Sequence, residues 1–420
     1  MRNKFLELKA EDIAKMCFNK FKTLPKTGKP KNDEWTVLAG VVLHNDLSAT
    51  SEVVSLGCGT KCIGKSKLCS KGLILNDSHA EVLARRGLLR YFYIHIQKAL
   101  ENDSSSIFTW VFESKKCKLR DGISFHFLST QTPCGDACII DNKKDAIDGE
   151  PLIKRKKLED DSSKSLSYVE TSGDVVYTGA KLLGTQHTDL IEQITGAVRT
   201  KPGRGERTLS MSCSDKLAKW QVIGVQGALL DMLLETPIYF ETLNFCQNDH
   251  GALERAIWKR FENHDYTNTK YALHKPLIRI CSLGEFAHAQ DEKKQPTPNG
   301  LVWCSIPEYL KPYEVSVNGK RQGVTSKKLN TAQAALAISK FHLFKKFVEI
   351  VKLKPQSFNI CCDDLENKSY LELKSMSNDY QNAWSEMKCK YFKQWSAKPE
   401  NLIKFQLKDV DVEENKGIAK

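Results

Sequence analysis

His79-Ala80-Glu81 sets an imidazole and a carboxylate two residues apart, and Pro133-Cys134, Cys138 and Cys213 add thiols further along the chain. Imidazole and thiolate together suit Zn2+, which prefers nitrogen and sulfur ligands and in catalytic sites keeps a fourth position open. Water at such a position has its pKa lowered to about 7, so hydroxide is available near neutral pH. A glutamate that stands beside the metal without ligating it can take a proton from that water and return it to a leaving group. His79 alone reads as an ordinary polar or core histidine. HAE at a helix start together with PC after a strand reverses that reading in favour of a metal site.

The elements that must position these residues are legible around them. WTVLAGVVL at 35–43 is an apolar, β-branched run fit for a buried strand, and VVSL at 53–56 reads as its partner across a short polar turn. Val82, Leu83, Leu89 and Phe92 recur near a period of 3.6, which makes the segment after His79 a helix. FTWVFE at 108–113 and ISFHFLST at 123–130 read as strands, and the second runs into TPCGDAC, a turn and an expected helix start. SDKLAKWQVIGVQGALLDMLL at 214–234 reads as one apolar helix, PIYFETLNF as a strand, and 329–352 and 369–394 as two amphipathic helical stretches. Residues 141–173, including IKRKKLEDDSSKS, are polar with little to bury and are expected to be a disordered insertion. No internal repeat is present.

With 41% hydrophobic residues in a chain of 420, there is material for a real core. No run of about 18 apolar residues marks a membrane span, and MRNKFLELKAEDIAK lacks the pattern of a signal peptide. The expected compartment is therefore nucleus or cytoplasm, and the fourteen cysteines are expected to be thiols, a few of them on metal. KRKK at 154–157 reads as a solvated charge run ahead of a nuclear address. The net charge of +12 leans toward a polyanionic partner. No protein partner is evident.

HAE followed by PC is the first half of the zinc-deaminase signature, H-x-E then P-C-x-x-C. The second half departs from it: the expected cysteine falls at Ala137, and Cys138 is one residue further, a spacing less suited to chelation. Cys213 in LSMSCSDK, also just before a long helical stretch, is the other candidate. Spacing alone leaves both open.

NDSHAEVLARRGLL, STQTPCGDA, TGAKLLG, RTKPGRGERTLSMSCSDKLAKWQVIGVQGALL and PIYFETL together resemble the adenosine deaminases that act on tRNA and on double-stranded RNA, which share one deaminase domain. The likeness runs from about Lys29 to Phe405. It implies an α/β fold with a cytidine-deaminase-like core, a central mixed sheet flanked by helices, and a helical carboxy-terminal extension, all in one large domain. Residues 1–28 would be an amino-terminal helical segment, 29–405 the deaminase domain with its insertion at 142–170, and 406–420 a tail. It also implies His79, Cys134 and Cys213 as the zinc ligands, Glu81 as the proton shuttle and Cys138 as an ordinary thiol.

The tRNA branch fits best. The residues before the first strand leave no room for a double-stranded-RNA-binding module, and the stretch from Arg199 to Cys213 is short where duplex editors carry the residue that fills the gap left by a flipped base. A tRNA loop base is already unpaired, which lowers the cost of extruding it. The resemblance implies conversion to inosine of adenosine 37, next to the anticodon of eukaryotic alanine tRNA. Val37 and the pair Thr60-Lys61 match positions that touch the target base and its ribose or phosphate. Cys138 stands where a duplex editor has arginine.

Arg85 and Arg86 interrupt an apolar helix, Lys216 and Lys219 another, and the carboxy-terminal helices add Lys340, Lys374 and Lys398 with Tyr370, Tyr380 and Trp395. A buried guanidinium without a partner costs several kcal/mol, and these cations are too many for carboxylates alone. Relatives bury inositol hexakisphosphate at the matching positions, so the resemblance implies that polyanion here. Two departures stand out: Trp384, one turn after Tyr380, replaces an expected basic residue, with Lys388 a further turn on, and Ala397 replaces an acidic one. Two other readings compete with a tRNA deaminase. A deaminase of free nucleosides or cytosine would keep PCxxC on a shorter chain, and a non-catalytic RNA-binding protein with structural zinc would have no need of Glu81.

Overall fold

The computed structural model describes residues 8–141, 175–176, 180–182, 195–203, 206–246, 250–266, 269–284, 286–355, 358, 360, 365 and 367–410. The insertion expected at 142–170 lies outside them, as do 1–7 and 411–420. Helix α1 spans Ala10–Thr23. It is followed by strands β1 (Leu38–Asn45), β2 (Thr50–Cys58), β3 (Thr60–Cys62) and β4 (Asp77–His79), then helix α2 (Ala80–Leu100) and strand β5 (Ile123–Ser129). Helices α3 (Cys213–Ile223) and α4 (Gly227–Leu233) precede β6 (Thr242–Phe245), β7 (Leu277–Ile280), β8 (Gly300–Cys304), β9 (Tyr313–Val317) and β10 (Lys320–Arg321). Three helices close the chain: α5 (Lys340–Leu353), α6 (Tyr370–Ser375) and α7 (Asn378–Lys390).

Eight strands make a mixed sheet in the order β7-β6-β5-β1-β2-β8-β9-β10. The β5–β6–β7 part is parallel and the rest antiparallel. Both faces are covered, as a sheet with apolar residues on both sides requires. One apolar cluster joins Val41, Leu43 and Val54 to Leu88 and Phe92 of α2 and to Phe344 and Phe347 of α5. A second packs Ile13, Cys17 and Phe18 of α1 on Leu38, Val42 and Leu56. The register sets the site's location: Leu38 pairs with Cys58 and Ala39 with Ser129, so the start of β1 and the ends of β2 and β5 lie at one edge of the sheet. Val37, Thr60 and the Pro133-Cys134 loop all leave from that edge.

α2 lies close on β2. A Cβ on Gly57 would sit 2.4 Å from both Ala80 O and Ala84 N, and Ser55 Oγ donates to Ala84 O at 2.7 Å. Glycine at position 57 is therefore what lets the helix bearing His79 and Glu81 approach the sheet.

Four expectations need correction. The stretch 214–234 is two helices, because Gly224 takes φ +75° and ends α3, while Gln226 Nε2 donates to the freed Ile223 carbonyl at 3.0 Å. After Cys134 the chain makes only a 3-10 turn, Asp136–Cys138. In the carboxy-terminal region α5 begins only at Lys340, where Ser339 caps it by accepting from His342 N, and 369–394 breaks at Met376-Ser377 into α6 and α7.

Candidate metal centre and the basic cluster behind it

His79 caps α2 at the end of β4, Cys134 sits in the loop beyond β5, and Cys213 opens α3. Three elements distant in sequence thus converge. His79 Nδ1 lies 3.9 Å from Cys134 Sγ and 3.8 Å from Cys213 Sγ, and all three ligand atoms fall within 4.8 Å of one another. A tetrahedral Zn2+ with metal–sulfur bonds of about 2.3 Å and metal–nitrogen bonds of about 2.0–2.1 Å needs ligand atoms about 3.5–3.8 Å apart, so the set fits. Cys134 is held well below the ordinary thiol range by the hydrogen bond from Cys213, then, against the opposition of burial, by Lys201 and His79. Cys138 points elsewhere, toward Pro133 O at 3.5 Å, and burial pushes its thiol up.

Glu81 follows two residues after His79 on the first turn of α2 and is 3% exposed. Its Oε2 is buried with no hydrogen-bond partner among the described residues. Burying a bare carboxylate oxygen is costly, and an incoming polar molecule is the natural partner. Thr60, opposite His79 in the β3–β4 pair, has a buried Oγ1 with no partner either. Lys61 is next to it, half-buried, and Val37 is buried with its carbonyl accepting from Gly59 N at 3.1 Å.

Two residues of the candidate site escaped the sequence reading. Asp77, buried, accepts from His79 N at 3.0 Å, Cys62 Sγ at 3.2 Å, Lys201 Nζ at 2.9 Å and Lys216 Nζ. Lys201, also buried, donates to Cys213 Sγ at 3.0 Å. Burial opposes the charge on Lys201, but Asp77 and then Cys213 hold its pKa well above the ordinary lysine value, which sets a cation beside the candidate ligand thiols. Outer partners of this kind orient metal ligands and tune them. The only signals were proximity: Asp77 stands in NDSHAE and Lys201 in RTKPGRG.

Lys216 leads from this centre to a second one. Arg85, Arg86, Lys219, Lys340, Lys374 and Lys398 lie within electrostatic reach of one another, with Lys388 among them. Arg85 Nε donates to Val225 O at 2.7 Å and Arg86 Nε to Ile338 O at 2.6 Å. Among the described residues none of these seven cations pairs with a carboxylate. Burial, then mutual repulsion, lowers Lys219 and Lys340 well below the ordinary lysine value and brings Lys398 to about 8. Burial brings Arg85 to about 10 and also lowers Arg86.

The aromatics complete the cluster. Lys219 Nζ stands 3.5 Å from the Trp384 ring centroid, 5.4 Å from that of Trp395 and 5.7 Å from that of Tyr380, and Lys374 lies over Tyr370 at 5.3 Å. So many unpaired cations drawn together from α2, α3, α5, α6 and α7 fit a compact polyanion, whose phosphates would take several at once.

The adenosine-deaminase (editase) domain description matches residues 55–399. The chain is 51% identical to tRNA-specific adenosine deaminase 1 of Drosophila melanogaster, over 94% of this chain and 96% of that one. This chain belongs to the adenosine-deaminase (editase) family. It is 31% identical to the Homo sapiens protein of the same name, over 94% of this chain and 99% of that one. Against the double-stranded RNA-specific adenosine deaminase of Mus musculus it is 27% identical over 94% of its own length but 32% of the relative's. The family accounts for the mixed sheet and for the deaminase chemistry expected at its edge. Among the described residues every cysteine is a free thiol, and no helix is long and apolar enough to cross a membrane.

Proposed function

We propose that this deaminase converts adenosine to inosine in tRNA by zinc-dependent hydrolysis, with adenosine 37 of eukaryotic alanine tRNA as substrate. The observation that carries the reading is the convergence of His79, Cys134 and Cys213 with the unpartnered Glu81 carboxylate. Higher identity to the tRNA-specific relatives than to the duplex-specific one supports tRNA as the substrate class. When bound, Zn2+ would supply a Lewis-acidic position at which water becomes acidic. Glu81 takes a proton from the attacking water as its oxygen adds to C6 of the base, and delivers that proton to the departing amine. Adenosine and water become inosine and ammonia. Asp77 and Lys201 hold the ligand shell, and Val37, Thr60 and Lys61 contact the base and its sugar or phosphate at the sheet edge.

Inositol hexakisphosphate is the polyanion we assign to Arg85, Arg86, Lys216, Lys219, Lys340, Tyr370, Lys374, Tyr380, Trp395 and Lys398. It acts as a folding cofactor, because binding the native state alone adds its affinity to stability. The enzyme works in nucleus or cytoplasm as a deaminase domain over 29–405, to which the 142–170 insertion is not essential.

Sequencing of tRNA after incubation with the protein tests the reading. The wild type should convert adenosine 37 of alanine tRNA, and Glu81→Ala should bind about one metal ion while forming no inosine. Equal conversion by Glu81→Ala overturns the proton role of this carboxylate.

A further inference from the structure

Beyond β3 the chain makes a short 3-10 turn, Lys65–Lys67, whose residues are all exposed. An exposed turn of this length has little to hold it, yet this one is latched from outside. Glu206 accepts from Ser66 N at 2.8 Å through Oε1 and from Ser66 Oγ at 2.7 Å through Oε2, and Lys65 N donates to Arg207 O at 3.3 Å. Gly64 makes the approach possible, since a Cβ there would lie 2.5 Å from Glu206 Oε2. The latching segment is itself closed at its base: Lys201 N donates to Ser210 O at 2.8 Å and Thr208 Oγ1 to Lys201 O at 2.8 Å. One side of the latch therefore continues to Lys201 and the metal ligands, the other to Thr60 and Lys61.

The way Glu206 uses its charge is informative. It lies against a turn containing two lysines and bonds to neither, giving both oxygens to a serine. Among the described residues Lys65 and Lys67 have no carboxylate partner. Both ammonium groups are thus free for an external anion while the backbone beneath them is fixed. Lys65 is five residues beyond Thr60, so it lies no more than about 18 Å away along the chain, within a few nucleotides of a base seated at the metal.

We propose that the Lys65–Lys67 turn is a phosphate-contacting rim for the RNA strand flanking the target nucleotide, and that Glu206 is the positioning residue that holds it in place. This rests on the reading of the protein as an RNA deaminase. Fixing lysines on a latched turn reduces the ordering cost that free surface lysines meet on binding.

The test measures kcat and KM on full-length alanine tRNA from about 50 to 200 mM KCl for the full chain and three variants. Lys65→Ala combined with Lys67→Ala should raise KM about tenfold, hold kcat, and reduce the log–log salt slope by about 1.4, from two lost contacts at about 0.7 each on a single strand. Glu206→Ala should raise KM about threefold with unchanged metal content and melting temperature. Glu206→Gln, which keeps an acceptor for Ser66 N, should restore KM. Wild-type KM and salt slope in the double-lysine variant, or wild-type KM in Glu206→Ala, overturns the rim alone. A wild-type protein that forms no inosine in any tRNA overturns both the rim and the activity it rests on.

Discussion

Asp77 divides two carboxylate oxygens among a backbone amide, a thiol and two lysines, which links the candidate metal ligands to Lys216 and the cation cluster behind it. Burial opposes its ionisation, yet Lys201 and Lys216 hold its carboxyl well below the usual range. Asp77→Asn leaves Lys201 buried against a neutral amide. Removing one partner of a buried ion pair costs about 3–5 kcal/mol, and loss of an outer-shell partner weakens metal binding about 10–100-fold. Urea unfolding and competition with a metal indicator should register both effects. The two candidate thiols behave differently: Cys213→Ala should lose the metal, and Cys138→Ala should keep it, because Cys213 Sγ converges with His79 and Cys134 whereas Cys138 Sγ turns to Pro133 O. Metal analysis of the purified variants decides between them. His79, Glu81 and Cys134 were legible because their chemistry dictates residue type and order. Asp77 and Lys201 were not, since aspartate and lysine have many uses and only the meeting of β4 with the 201–210 segment reveals theirs.

At the level of elements, the position of α2 rests on Gly57. Gly57→Ala must push a methyl against the backbone at Ala80 and Ala84 and the Leu83 Cβ, with no flexible side-chain end to yield. We expect a loss of about 1–3 kcal/mol from overpacking. A fall in metal occupancy should accompany it, because His79 and Glu81 ride on the displaced turn; urea titration and bound-metal content measure the two. The apolar period of α2 announced this helix well. The break between α3 and α4 was missed although Gly224 and Gly227 were in plain view, because apolar residues on both sides carry a helical pattern straight through it. The order of strands in the sheet had no local signal: β6 follows β5 in space across the whole of α3 and α4, and β8 returns to pair with β2.

At the level of the whole molecule, the cation cluster sets how stability responds to pH. Burial, reinforced by Lys216, Arg86 and Lys374, brings Lys398 to about 8, whereas in an unfolded chain lysine titrates near 10.4. Between those values the unfolded state binds more protons, so protein free of polyanion gains stability as pH rises, by up to roughly 3 kcal/mol from this lysine. Below about 8 both states are charged and the penalty is fully present. With a polyanion bound, phosphates favour the charged form and the folded pKa rises toward the unfolded value of about 10.4, so the gain in stability between these values disappears. Thermal melts at about pH 7.5, 9 and 10, with and without added inositol hexakisphosphate, should converge as pH rises, because the free protein gains stability over this range and the loaded one does not. Parallel curves would remove the polyanion from the cluster.

The cluster also has an optical consequence. Of the chain's seven tryptophans, three stand beside these cations: Trp220 under Arg85 at 5.1 Å, Trp384 under Lys219 at 3.5 Å and Trp395 at 5.4 Å from the same ammonium. Indole emission responds to nearby charge, and a phosphate drawing Lys219 away from Trp384 alters the field on that ring directly. The enzyme therefore carries its own emissive gauge, and a shift in its fluorescence on addition of polyanion, abolished in Trp384→Phe, would let loading be followed in real time without a label.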